Sequence, residues 1–139
     1  MNSLETTLEE FYVVDTHTLI WYLTNEKPLG KQAEAIFAAA ERGETKLLVS
    51  AISIAEMYYA NRKHHWFPDF KATYQQLAAK PYFRLIEFKA DHALDFDQDA
   101  NVPEMHDRII AGLARRINAP LLTVDPLIKA TQALRIIWD

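Results

Sequence analysis

Four carboxylates stand where this sequence has the means to do chemistry: Asp15, Glu56, Asp107 and Asp125. Two apolar runs each stop at an acid, Val13-Val14-Asp15 and Thr123-Val124-Asp125. Carboxylates gathered in one cleft repel one another and raise at least one pKa unless a cation compensates. Hard divalent cations with oxygen ligands are the natural compensation. Mg²⁺ is typically held by one or two carboxylates and several waters, leaving positions for a phosphate. Such an ion polarises a phosphoryl oxygen and lowers the pKa of a bound water, and two together clamp attacking and leaving oxygens. Phosphodiester hydrolysis is the chemistry such a cluster suits best.

The elements that must position these acids can be read from the hydrophobic pattern. Phe11–Asp15, Leu47–Val49, Phe83–Phe88, Pro120–Val124 and Leu134–Trp138 read as short strands. Leu19–Leu23 is helix-compatible. Ala33, Ile36, Phe37 and Ala40 share one helix face, ended by Gly43. Ile52–Lys63 and Phe70–Ala79 are helices, the second stopping before Pro81. Ala90–Asp97 predicts a short helix. Met105, Ile109, Leu113 and Ile117 stack at every fourth residue and mark the clearest helix in the chain.

Short apolar strands alternating with helices predict a single three-layer α/β/α domain with a mainly parallel sheet of about five strands. Ligands of such sheets bind beyond the carboxyl ends of the strands. Asp15 and Asp125 close strands at that edge. Glu56 lies early in the helix after the second strand, and Asp107 in the first turn of the helix before the fourth. All four therefore have access to one cleft.

Composition narrows the class. The 139 residues are 50% hydrophobic and 24% charged, as in a globular domain. With no cysteine, disulfides and thiolate zinc sites are excluded, and a reducing, cytoplasmic location is compatible. No apolar run approaches the roughly 18 residues of a membrane helix, and the polar, acidic start is no signal peptide. The formal net charge of −4 argues against strong non-specific nucleic-acid binding. Residues 1–10 read as an N-terminal extension before a domain spanning 11–139.

Each acid taken alone has a structural explanation. Asp15 and Asp125 suit helix N-caps, the latter with Pro126 behind it. Ser53-Ile54-Ala55-Glu56 matches a capping box, although Ser50 as N-cap would place Glu56 beyond it. Asp107 complements a helix dipole beside Arg108. The convergence of four acids on one edge favours function.

The same residues resemble the PIN domain, specifically the VapC-type toxin ribonucleases of toxin–antitoxin pairs. Val13-Val14-Asp15-Thr16-His17 followed by Leu19-Ile20-Trp21 is similar to the family's first strand, Asp-Thr-His and Trp-containing helix. Val49 to Met57 resembles its strand and helix-borne Glu. His106-Asp107-Arg108-Ile109-Ile110-Ala111 resembles its Asp-bearing helix, and Leu121-Leu122-Thr123-Val124-Asp125 its Thr-x-Asp strand end. The resemblance runs from about Phe11 to the C-terminus. It implies a Mg²⁺- or Mn²⁺-dependent endoribonuclease that leaves 5′-phosphate and 3′-hydroxyl ends. Asp15 and Asp107 would be the central ligands, Glu56 and Asp125 would complete the site, and Thr16 and Thr123 would orient carboxylates. It also implies a homodimer and a cognate antitoxin that blocks the cleft. Residues 1–10 have no counterpart in the family pattern. The segment before Asp107 is shorter than in relatives with an extra Asp there, a place where Glu104 stands in this chain.

Two other functions compete. A haloacid-dehalogenase-type phosphatase also uses strand-end aspartates, but needs a second acid two residues after the first, where this chain has His17. A non-catalytic RNA- or protein-binding module on the same fold is the other; the complete quartet argues against it. The segment Arg62-Lys63-His64-His65-Trp66 is read as cations complementing a helix C-terminus, with RNA contact as the alternative. Arg115 and Arg116 are read as surface residues. His17 and His106 adjoin proposed ligands but are poor matches for Mg²⁺, which prefers oxygen.

Overall fold

In a computed structural model of the chain, residues 8–124 and 135–139 are described. The elements run β1 (Phe11–Val14), α1 (Thr16–Thr24), α2 (Lys31–Glu41), β2 (Lys46–Ser50), α3 (Ala51–His64), α4 (Phe70–Ala79) and β3 (Phe83–Ile86). A 3₁₀ segment (Ala90–Asp99), α5 (Met105–Ile117), β4 (Leu121–Leu122) and β5 (Ile136–Ile137) follow. Asp125, Pro126, the start of the last predicted strand at Leu134 and residues 1–7 lie outside the described residues. Among the described residues no helix is long and apolar enough to cross a membrane.

The five strands form one sheet in the order β3-β2-β1-β4-β5, every pair parallel. Successive side chains of a strand face opposite sides, and here both sides are covered. Tyr12, Val14, Leu47, Val49, Phe83 and Leu122 join one core with α1 to α4. Val13, Leu48 and Leu121 join a second with α5. The three-layer parallel architecture predicted from the strand pattern is the one found.

Residues with positive φ close two of the early helices, and Gly43 stands where the sequence predicts the end of the second. α1 closes on Asn25 in the left-handed region, with its N–H donating to Trp21 O at 2.8 Å. Behind α2, Gly43 takes φ of +82°, and the N–H groups of Gly43 and Glu44 donate to Ala40 and Ala39. Residues expected as a short helix after Lys89 form a 3₁₀ segment instead, with only Asp99 of it buried.

α5 differs from the amphipathic stripe expected of it. Ile109 to Ala114 are all buried, whereas Met105 and Ile117 at its ends are exposed. The helix is covered on two sides, by β1 and β2 and by the 3₁₀ segment. A one-sided stripe therefore understates its burial.

The strand order reverses at β1: β2 and β3 follow on one side of it, β4 and β5 on the other. The crevice between the carboxyl ends of β1 and β4 is the topological switch point, where ligands of parallel sheets bind.

Candidate active site

Asp15 leaves β1 at this crevice. Its N–H still donates to Leu122 O on β4, at 3.1 Å, so the backbone is held by the sheet. Its carboxylate accepts from the Thr16 N–H on Oδ1 and from the Thr123 hydroxyl on Oδ2, both at 2.8 Å. The side chain thus caps α1, as the N-cap reading proposes, while lining a cavity at this edge that it shares with Glu56 and Asp107. Capping and function are compatible, because a cap satisfies one lone pair of a carboxylate that has several.

Glu56 arrives from α3. Ser50 is the N-cap of that helix, accepting from Ile52 N–H at 3.2 Å, so Glu56 lies beyond any capping box. The Thr16 hydroxyl donates to Glu56 Oε1 at 2.5 Å and shares a hydrogen bond of 2.9 Å with Ser53, which is fully buried. His106 Nδ1 lies 3.1 Å from Glu56 Oε2. Thr16 and Thr123, expected to orient carboxylates, thus each hydrogen-bond one: Thr16 to Glu56, Thr123 to Asp15.

Asp107 sits half-buried in the first turn of α5. The N-cap of that helix, Glu104, makes no side-chain cap hydrogen bond. Helix N-termini carry a partial positive charge and favour anions, which suits Asp107 in this position.

Asp15, Glu56 and Asp107 line one cavity of about 520 Å³, with Glu104, His17 and His106 beside them. Its apolar wall includes Ile20, Ile52 and Tyr59. Three of the four acids singled out in sequence are therefore brought together; the fourth, Asp125, lies outside the described residues. Two residues of the site carry no signal in the sequence: Ser53 matches a capping box, and Tyr59 is one ring among the many apolar side chains of Ile52–Lys63.

The donor set is entirely carboxylate and hydroxyl oxygen, with imidazole at the margin, which fits a hard divalent cation. Among the described residues, no three of these side chains close on a single point to grip an ion.

The fold, the switch-point crevice and the acids at its edge define a class of parallel α/β protein with an acidic site beyond the carboxyl ends of its strands. The chain belongs to the PIN domain family, whose model matches residues 12–134. Its fold is also that of chains in solved complexes. VapBC2 from Rickettsia felis, bound to a DNA fragment from its promoter, matches at 18% identity with a TM-score of 0.69, covering 93% of this chain and 99% of that one. DNA-bound VapBC from Salmonella typhimurium matches at 18% and 0.67, covering 93% and 98%. VapBC-1 from nontypeable Haemophilus influenzae matches at 21% and 0.62, covering 91% and 96%. No curated protein sequence gives a significant match.

Proposed function

We propose that the protein is a Mg²⁺- or Mn²⁺-dependent endoribonuclease and the toxin of a toxin–antitoxin pair. The observation that carries this reading is the convergence of Asp15, Glu56 and Asp107, from three separate elements, on one cavity at the switch point. The family membership supports it, as do the solved relatives, among them a toxin–antitoxin complex from Klebsiella pneumoniae.

In this reading Asp15 and Asp107 are the principal metal ligands, Glu56 and Asp125 complete the site, and Thr16 and Thr123 set carboxylate orientation. A bound divalent cation would polarise the scissile phosphoryl group and acidify a water. The chain's own part is positional. The Thr123 hydroxyl and Thr16 N–H hold one oxygen each of Asp15, and the Thr16 hydroxyl and His106 hold one each of Glu56. Carboxylates fixed in this way need no rearrangement when the ion and the phosphate arrive. The reading extends to a cytoplasmic homodimer blocked by a cognate antitoxin, with residues 1–10 as an extension of a domain over 11–139.

The test is direct. The purified protein, with Mg²⁺ or Mn²⁺, is incubated with tRNA, rRNA and mRNA pools and the ends are mapped. Cleavage that chelation abolishes, leaving 5′-phosphates, is the expected result. Intact RNA in every pool would refute the proposal.

A further inference from the structure

The charge balance opposes the proposed substrate. The chain carries a formal net charge of −4, its cavity is lined by acids, and RNA is a polyanion. Binding must then come from local cations and from contacts indifferent to charge, of which base stacking on aromatic rings is the strongest.

Most arginines are already engaged. Arg42, Arg115, Arg116 and Arg135 are in ion pairs with acids. Arg108 donates to the Val102 and Ala100 carbonyls. Among the described residues Arg62 and Arg84 form no ion pair, and Arg62 lies on the helix that carries Glu56. Beside it, Lys63 is exposed and likewise forms no ion pair among the described residues.

Residues of α3 from Ile52 to Ala60 that share one face line the cavity, and Tyr59 is the last large ring among them. Tyr59 is 68% exposed. Its ring meets Tyr58 edge-on, with centroids 5.2 Å apart at 88°, and Tyr58 meets Phe70 edge-on in turn, at 5.5 Å. This buttress holds a wide, solvent-facing ring at the rim of an acidic cavity. Lys63 continues the same face one turn further, at i+4 from Tyr59 and i+7 from Glu56. Along the axis Tyr59 lies ~5 Å and Lys63 ~10 Å from Glu56. A strand whose reacting phosphate meets the carboxylates reaches both within a few nucleotides.

We propose that this face of α3 is the track that holds a single-stranded stretch of the RNA. Tyr59 stacks an unpaired base beside the reacting phosphate, while Lys63 and Arg62 meet the phosphates that follow. The proposal rests on the ribonuclease reading and adds to it the side chains that grip the strand, since an unpaired base offers its face to a ring such as that of Tyr59. A second copy docking on the same tyrosines is the competing use. The position of Tyr59, between the acids and the exposed cations Arg62 and Lys63, favours a nucleic acid.

The test uses the full-length protein without metal and a labelled, unstructured oligoribonucleotide, read by fluorescence anisotropy. Tyr59→Ala weakens binding about tenfold, whereas Tyr59→Phe, which keeps the ring, binds like the parent. Arg62→Ala with Lys63→Ala lowers the slope of log affinity against log salt by about 1.4, as loss of two phosphate contacts to a single strand requires. With Mg²⁺, Tyr59→Ala raises KM more than it lowers kcat, and a hairpin form of the same sequence is cut poorly. Thermal unfolding of each variant matches the parent, since these side chains are exposed. If Tyr59→Ala and the double variant bind and cleave RNA like the parent, the track is wrong and the ribonuclease reading stands. If binding shows these dependences but the RNA stays whole with Mg²⁺ and Mn²⁺, the track stands and the ribonuclease reading falls. If Tyr59→Ala changes the sedimenting mass and leaves oligonucleotide binding intact, the face joins two copies and the proposal is overturned.

Discussion

The two ends of α5 hold carboxylates in opposite ways. Near its C-terminus, Asp99 is 3% exposed and gripped by Arg115, through Nε at 3.2 Å and Nη2 at 2.8 Å. Asp95 meets Arg116 at 3.5 Å. The hydrogen bond to Asp99 raises the pKa of the Arg115 guanidinium against the opposing effect of its burial. At the N-terminus, Asp107 shares a cavity with Asp15 and Glu56; there an amide and a hydroxyl hold Asp15, and the Thr16 hydroxyl and His106 hold Glu56. A guanidinium cancels the charge of an acid and fixes both its oxygens. A hydroxyl fixes one oxygen and leaves the charge to act on something else. The same residue type thus pairs with a guanidinium at one end of the helix and, in the proposed function, serves as a metal ligand at the other.

Exchanging the roles of the two ends tests this contrast most strongly. Asp107→Asn should lower RNA cleavage by at least ~100-fold, because even outer-shell partners of a metal contribute 10- to 100-fold. Its urea unfolding curve should overlay that of the parent. Asp99→Asn should do the reverse. It leaves the partly buried Arg115 without its charged partner at the buried position 99, and breaking a buried pair costs about 3 kcal/mol. Urea titration would show the loss, while cleavage per folded molecule should stay unchanged. An Asp107→Asn variant that unfolds as readily as Asp99→Asn would end the distinction between the two ends.

Much of this contrast can be read in the sequence, but not all. The strand-ending acid at Asp15 and the helix-borne Glu56 follow from periodicity and from the rule for parallel sheets, and the structure places both side chains on one cavity. The pairings are less legible. Arg115 and Arg116 read as surface residues, since nothing local announces that a 3₁₀ segment sixteen residues upstream will fold over them. Asp99 has the look of a solvated acid among Asp95, Asp97 and Gln98; only the tertiary contact makes it buried. Tyr59 shows the converse limit. It belongs to an apolar-looking helix, and only the arrangement of α3 beside the crevice reveals that its ring faces solvent at the rim.

A smaller effect sharpens the cavity end by itself. Thr123→Val keeps the shape of the side chain and removes the hydroxyl that donates to Asp15 Oδ2. Mn²⁺ affinity, measured by calorimetry, should fall ~10- to 100-fold. Stability should change by about 1 kcal/mol, the net worth of one hydrogen bond. A loss of stability without loss of metal affinity would make Thr123 a structural residue and move the Asp15 end towards the Asp99 end.

The smallest effect comes from a third carboxylate held by a hydroxyl, away from both ends of α5. In the groove between α1 and α2, the Tyr22 hydroxyl donates to Glu41 and meets the Tyr82 hydroxyl at 3.0 Å. The pKa of Tyr22 lies above its ordinary value of 10.0, raised by burial first and then by the hydrogen bond to Glu41. A phenol whose folded pKa is raised contributes stability that is complete below the unfolded value and is lost as pH rises from there towards the folded one. The parent should therefore lose stability upward of pH ~10 more steeply than Tyr22→Phe, which has no phenol to ionise. Asp107→Asn should leave that slope untouched. Parallel curves for the parent and Tyr22→Phe would mean that the groove tolerates a phenolate beside Glu41, and that a neutral donor is not what keeps this third acid in place.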